Sequence, residues 1–336
     1  MKYQRVIEHL IKHCGNLNPK ERLLILCDVS TQDIAEVFLT YAKTLVSHPL
    51  QANLLVLPIA AFHGAEPDEI ISAEMKKADL IMSLCKMSLA HSQARVEAGK
   101  CGARFLSMPL YTWELLDDPA LSVDFQAQYS IVKKVSEAFT QGSRVEVKTK
   151  AGTKILLDIV GRVGNCCPGF VTKPGDLGSP PDIEANVSPV ETFSIGKVVI
   201  DGSITCPELG LLSNPVVLTV SNGGITEIES ENASYVEILN KMLGPVGSKR
   251  RVLAECGVGL NPDAKLTGTM LTDEGAYGCM HFGFGANHTV GGQNKTDFHL
   301  DFVFKEATLI VDGKMILNNG ELCDEFCEQE CDLSRA

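Results

Sequence analysis

The chain has 336 residues, which at roughly 100–200 residues per domain suggests two domains. With 45% of them apolar, it can bury a core without help from disulfides or structural metals. Its net charge of −12 excludes a nucleic-acid binder, because phosphate contact needs clustered Lys and Arg. The short basic run Lys249-Arg250-Arg251 reads as a solvated loop. Lys2, Arg5, Glu8 and Lys12 break up the beginning of the chain, so it lacks the apolar stretch of a signal peptide. No window approaches the ~20 apolar residues of a membrane span. The twelve cysteines are therefore expected to be reduced thiols in a cytoplasmic chain.

Residues 1–14 carry Val6, Leu10, Ile11 and Cys14 at helical spacing. A buried strand is expected at 23–27, an amphipathic helix at 31–46 and a second strand at 53–57, ended by Pro58. A helix at 67–77, a strand at 80–85, a helix at 92–98 and a strand at 105–108 follow. This alternation predicts an α/β domain, residues 1–140, with a mainly parallel sheet. From residue 141 to 336 the pattern changes to an α+β domain with mainly antiparallel strands. Strands at 145–148 and 154–159 flank Ala151-Gly152, and those at 216–220 and 225–228 flank Asn222-Gly223-Gly224. A helix at 234–242 precedes strands near 252–257, 278–283 and 298–304, and a hairpin of 307–311 and 314–317 turns through Asp312-Gly313. The loop 166–181, rich in Gly and Pro, is expected to be mobile. Cys27, Cys85, Cys256 and Cys279 sit among apolar residues and are expected to pack as small hydrophobes. Cys323, Cys327 and Cys331 would share one face of a helix and read as surface thiols, since three sulfurs with no histidine fall short of a zinc site.

Neither a phosphate-binding P-loop nor G-x-G-x-x-G follows the first strand, and no G-x-S-x-G elbow is present. The chemistry-bearing residues gather in the second half. His299-Leu300-Asp301 puts two ligand-type side chains on one face of a strand. His281 lies in another strand, with His288 seven residues on. Glu255 interrupts Val252-Leu253-Ala254, and Glu191 interrupts an apolar run ending at Phe193. A carboxylate in an apolar strand needs a partner: a divalent cation, a buried Arg, or a set of backbone N–H groups. Two His with carboxylates suit zinc, manganese, cobalt or iron(II), and two bridging carboxylates suit a two-metal site.

The blocks 254–262, 278–285 and 299–301, with 186–193 upstream, resemble the aminopeptidase T family of metallopeptidases. That resemblance implies a cytoplasmic homodimer acting as a hydrolase, a metalloprotease that releases N-terminal residues of short peptides. It implies Glu191, Glu255, His281, His299 and Asp301 as ligands to one or two ions of Zn, Co or Mn. Glu191 and Glu255 would bridge metals or activate water. His288, standing where that family has a tyrosine, would stabilise the oxyanion. The same scaffold resembles the dihydroxypyridine ring-cleaving dioxygenases, which implies one Fe(II) on His281, His299 and Asp301 and a small aromatic substrate. A metal-binding protein without peptidase activity is the remaining alternative.

Overall fold

A computed structural model describes residues 2–327. The chain divides into two compact units: Met1–Gln126 with Gly169–Pro181, and Ala127–Pro168 with Asp182–Ala336. The expected division at 140/141 falls inside the helix Phe125–Gln141.

The first unit is an α/β fold. Its five-stranded sheet runs in the order Ala52–Leu57, Leu23–Asp28, Leu80–Ser83, Arg104–Ser107, Leu177–Gly178, and every pairing is parallel. The three inner strands Leu23–Asp28, Leu80–Ser83 and Arg104–Ser107 are buried at every position, as a sheet covered on both faces requires. The helix Gln32–Leu45 buries Ile34, Ala35, Phe38, Tyr41 and Ala42. Within the segment expected to be helical, Gln4–His9 is an α-helix and Leu10–Cys14 a π-turn. The fifth strand corrects the expectation of a mobile loop at 166–181. Val171 N donates to Cys14 O, Gly175 N to Ala103 O, and Phe105 N to Asp176 O. The Gly- and Pro-rich composition supplies turns here, and the backbone groups between them are paired.

Arg104 is the buried cation of this unit. It pairs with Glu21 at 2.6 Å and donates to the carbonyls of Gly15 and Asn16. Breaking such a pair leaves polar groups without partners. Arg104→Met is therefore expected to lower stability by about 3 kcal/mol, read as a lower urea midpoint with an unchanged slope.

The second unit is built on two antiparallel sheets, one of eight strands and one of seven. Val145, Val147, Ile155 and Leu157 alternate with exposed or half-buried residues in the first hairpin, giving that sheet one wet face. The helix Phe125–Gln141 is not among the expected elements. Phe125, Val132, Val135 and Phe139 are buried at helical spacing, but Gln126, Gln128 and Ser130 dilute the pattern. The seven-stranded sheet runs Gly210–Leu211, Ser203–Ile204, His299–Phe304, Met280–Gly285, Leu253–Gly259, Glu184–Val187, Asn165–Cys167. Phe282, Phe284, Phe302 and Phe304 share one face and are fully buried. Phe284 and Phe302 meet edge to face, with ring centroids 5.2 Å apart.

Cys27, Cys85, Cys256 and Cys279 are all buried. Cys323 is half-buried and Cys327 exposed, at the short helix Asp324–Cys327; Cys331 lies outside the described residues. Among the described residues, no helix is long and apolar enough to cross a membrane.

Candidate metal centre

The face of the seven-stranded sheet opposite the phenylalanines carries the polar residues, because side chains alternate along a strand. In register from one edge lie Asn165 and Cys167, then Asn186 and Glu184, then Gly257 and Gly259 with Glu255. His281 faces Gly257 across the next pairing, and Gly283 faces Glu255 on one side and Asp301 on the other. His299 stands opposite Gly285. Glu255 shares this face with Gly257 and Gly259 by the strand's period of two, and a break in register beyond it sets Leu253 opposite Phe284.

Two ligand groups result, each with its atoms within 4.8 Å of one another: Glu184, Glu255 and His281; and Glu255, His299 and Asp301. Glu255 belongs to both. Its Oε1 lies 3.7 Å from His281 Nε2, and its Oε2 lies 3.4 Å from His299 Nε2. Glu184 Oε2 is 3.0 Å from His281 Nε2, and Asp301 Oδ1 is 3.2 Å from His299 Nε2.

Glycines make this possible. Neighbouring strands are about 4.8 Å apart, so an imidazole that reaches a carboxylate two strands away must lie over the strand between. A Cβ on Gly257 would sit 2.1 Å from His281 Nε2, and one on Gly283 would sit 2.6 Å from His299 Nε2 and 2.8 Å from Asp301 Oδ1.

The two halves differ in access. The His281 and Glu184 side chains are sealed, whereas the His299 side chain is 32% exposed. Solvent therefore reaches the cluster on the His299 side. His299 Nδ1 lies 2.8 Å from Ala286 O, which fixes the tautomer that leaves Nε2 for a ligand bond.

The electrostatics fit a cation. Burial opposes charge on His281, but Glu184 and Glu255 outweigh it and hold its pKa well above the ordinary range. His299 moves the same way, against burial and under Asp301 and Glu255, with solvent softening both effects at its exposed edge. Burial raises the Glu255 carboxyl, yet the two imidazoles prevail and keep it ionised far below its usual range. Two further carboxyls stand close by. Burial, and then Glu184, drives Asp182 well upward; burial, and then Asp301, does the same to Glu274. Asp182 Oδ1, Glu184 Oε2, Glu274 Oε1 and His281 Nδ1 are buried with no hydrogen-bond partner. Glu184 Oε2 is thus near enough to His281 for an ion pair but is not hydrogen-bonded. Of these atoms, Glu184 Oε2 belongs to a ligand group; a buried, unsatisfied carboxylate oxygen is costly, and a divalent cation is a partner its donor set suits. The set of carboxylate oxygens and imidazole nitrogens fits Fe(II), Mn(II), Co(II) or Zn(II).

One pH effect follows. With the imidazole pKa values raised, protons on His281 and His299 compete with a cation for the metal-free site, and the cation must displace them. Uptake is expected to release protons, and affinity is expected to climb as pH rises toward the raised imidazole values. Calorimetry in buffers of different ionisation enthalpy counts those protons; zero release at pH 7 would contradict the assignment.

Of the residues expected from sequence, Glu255, His281, His299 and Asp301 come together. Glu191 and His288 belong to neither group. Glu191 has found the alternative partners of a carboxylate in an apolar run. Arg162 pairs with it at 2.5 Å, Asn287 Nδ2 donates at 3.0 Å and Gln293 N at 2.6 Å. Burial would raise its carboxyl, but these donors hold it below the ordinary value. His288 is exposed in the turn after Asn287. The set His281, His299 and Asp301 does not form one compact group either, because Glu255 takes the place given to His281 beside His299 and Asp301. The residue missed is Glu184. Its signal was the alternation of polar Asp182, Glu184 and Asn186 with apolar Ile183, Ala185 and Val187.

A parallel α/β unit and an antiparallel unit whose sheet presents clustered carboxylates and imidazoles define a class of two-unit scaffold carrying a candidate metal centre. Over residues 2–324 the sequence matches the family model described as NicX, 2,5-dihydroxypyridine 5,6-dioxygenase. The chain belongs to that dioxygenase family. A 2,5-dihydroxypyridine 5,6-dioxygenase of Pseudomonas putida is 24% identical over 262 residues, spanning 74% of this chain and 72% of the relative. The solved 2,5-dihydroxypyridine dioxygenase of Pseudomonas putida KT2440 superposes with a TM-score of 0.80 at 20% identity, covering 96% of this chain and 97% of that one. Wild-type AmpT from Thermus thermophilus gives 0.67 at 14% identity, covering 95% and 98%. The family match overturns the aminopeptidase expectation, and with it hydrolase, protease and metalloprotease. The likeness to AmpT is one of fold.

Proposed function

We propose that this chain is a metal-dependent dioxygenase that opens an electron-rich, dihydroxylated aromatic ring, with a dihydroxypyridine as the first substrate to test. The observation that carries this reading is that the family match runs from residue 2 to 324 and so includes every residue of both ligand groups. In the reaction one ring carbon–carbon bond breaks and both atoms of O2 enter the product, so no outside electron donor is required.

Glu184, Glu255 and His281 would hold one cation, and Glu255, His299 and Asp301 another. When bound, a redox-active divalent metal such as Fe(II) supplies the place where substrate hydroxyls and O2 react. The rest falls to the chain's own side chains. The exposed edge of His299 leaves the approach open on that side. Asp301 and Glu255, both held as anions, oppose a further negative charge beside them, so loss of a proton from a substrate hydroxyl there would depend on a bound cation to offset them. Burial biases Asp182 and Glu274, beside the ligand groups, toward their protonated forms.

The test is oxygen uptake by protein loaded with Fe(II) in the absence of air, then mixed with 2,5-dihydroxypyridine and air-saturated buffer. Uptake matched by a product heavier by one O2 is expected. No uptake across a panel of dihydroxypyridines and dihydroxybenzenes would refute the proposal.

A further inference from the structure

Glu191 is more heavily engaged than a surface carboxylate needs to be. Its Oε2 pairs with Arg162, and its Oε1 accepts from the Asn287 side chain and from Gln293 N. Arg162 also donates to Gly291 O at 2.6 Å. Three contacts from this pair thus hold the loop 286–294, at Asn287, Gly291 and Gln293. The loop is closed on itself as well, by Asn287 N to Asn294 O and by Asn294 N to Asn287 Oδ1.

Two hydrogen-bond routes leave this loop, and each ends on a different half of the ligand cluster. On one side, Ala286 O holds His299 Nδ1 at 2.8 Å. On the other, Val290 O accepts from Asn165 Nδ2, which also donates to Asn186 Oδ1 at 2.7 Å; Asn186 Nδ2 in turn donates to Glu184 Oε1 at 2.6 Å. The groups behind a ligand set its orientation, and their loss typically costs roughly 10–100-fold in metal affinity.

We propose that Glu191, paired with Arg162, is a positioning residue for the metal centre: it fixes the loop 286–294, whose carbonyls orient His299 directly and Glu184 through Asn165 and Asn186. This rests on the reading of the cluster as a metal centre, but not on ring cleavage. Glu191 touches neither ligand group, so it acts only through the loop. Gly223 and Gly292 belong to the same device. A Cβ on Gly223 would overlap the Glu191 carbonyl, and one on Gly292 would overlap the Asn287 amide.

The test uses the full chain, stripped of metal and titrated with Co(II) alone, reading both affinity and the visible d–d spectrum. Glu191→Ala is expected to weaken Co(II) binding by roughly 10–100-fold and to shift the spectrum. Glu191→Gln keeps an acceptor for Asn287 and Gln293 and is expected to fall between Ala and wild type. It also serves if the Ala variant does not fold. Because both routes pass through one loop, Asn165→Ala combined with Glu191→Ala is expected to lose less than the product of the two single losses. A merely structural role would lower the unfolding midpoint and leave Co(II) affinity and spectrum alone; that result in either folded Glu191 variant overturns the proposal, as does strict additivity. If wild type itself takes up no Co(II), the metal reading fails and this one with it. That outcome is distinct from a wild type and variants that bind equally.

Discussion

Glu255→Gln is expected to empty the metal centre. Its two carboxylate oxygens serve two ligand groups, one beside His281 and one beside His299, so one substitution removes an anionic donor from each. The amide keeps the shape but turns an N–H toward an imidazole, where a ligand atom is needed. The loss should exceed the roughly 10–100-fold that outer partners are worth. Metal measured per chain after dialysis should fall below that of wild type in both halves, and oxygen uptake should vanish. Glu184→Gln provides the contrast: it should disable only the His281 half. A Glu255→Gln protein with wild-type metal content and turnover would show that the ions sit elsewhere. A second readout comes from the metal-free protein. Glu184 holds up the His281 imidazole and Asp301 that of His299, and Glu255 is the counter-ion the two share; breaking a buried pair costs about 3–5 kcal/mol. Imidazolium pairing contributes fully below the ordinary histidine pKa of about 6.5 and fades as pH passes the raised value. The deficit of the variant should therefore be largest at mildly acidic pH and shrink as pH rises.

Gly257→Ala is the second change with a large expected effect, although it removes no ligand. The added methyl would lie 2.1 Å from His281 Nε2 and 2.2 Å from Cε1, well inside contact distance. Neither partner can yield cheaply. The Leu253–Gly259 strand is paired on both sides, and the His281 ring is sealed. The ring must leave its rotamer, which separates it from Glu184 and Glu255. Overpacking of this kind costs about 1–3 kcal/mol, and the His281 half should lose its ion. The expected result is a lower urea midpoint and loss of metal from that half, with His299 and Asp301 keeping theirs. Gly283→Ala should give the mirror image, because its methyl meets His299 and Asp301 instead. Full metal occupancy in Gly257→Ala would mean that His281 is not a ligand.

Four of the candidate ligands were legible in the sequence because each breaks an apolar strand of period two: Glu255 after Leu253-Ala254, His281 before Phe282, and His299 and Asp301 around Leu300. Glu184 was harder to read. Its strand is only Glu184–Val187, and it follows directly on Pro180-Pro181, which reads as a loop. Glu191 raised the same signal as Glu255, a carboxylate among apolar residues. Which partner satisfies such a group is decided by residues distant in sequence: Arg162, 29 positions away, and Gln293, 102 positions away. Fold class was legible for a similar reason in reverse. Alternating strands and helices in the first unit, and hairpin turns such as Asn222-Gly223 in the second, are local signals. The choice between hydrolysis and oxygen chemistry was not legible, because carboxylate and imidazole ligands serve both.

The strand Leu177–Gly178 imposes an order on synthesis. The first unit's sheet ends on this strand, which pairs with Arg104–Ser107, yet the chain emits it only after the long helix Phe125–Gln141 and the first hairpin of the second unit. At ribosomal speeds of about 5–20 residues per second, a nascent chain waits seconds between finishing residue 126 and supplying the strand that closes that sheet. During that interval the edge at Arg104–Ser107 has exposed backbone donors and acceptors, a template for a wrong strand. Co-translational capture of this edge by a chaperone, or pairing with a neighbouring nascent chain, would thus be confined to lengths short of residue 178. Ribosome-bound fragments ending at residue 150 should be more protease-sensitive in the first unit than fragments ending well past it.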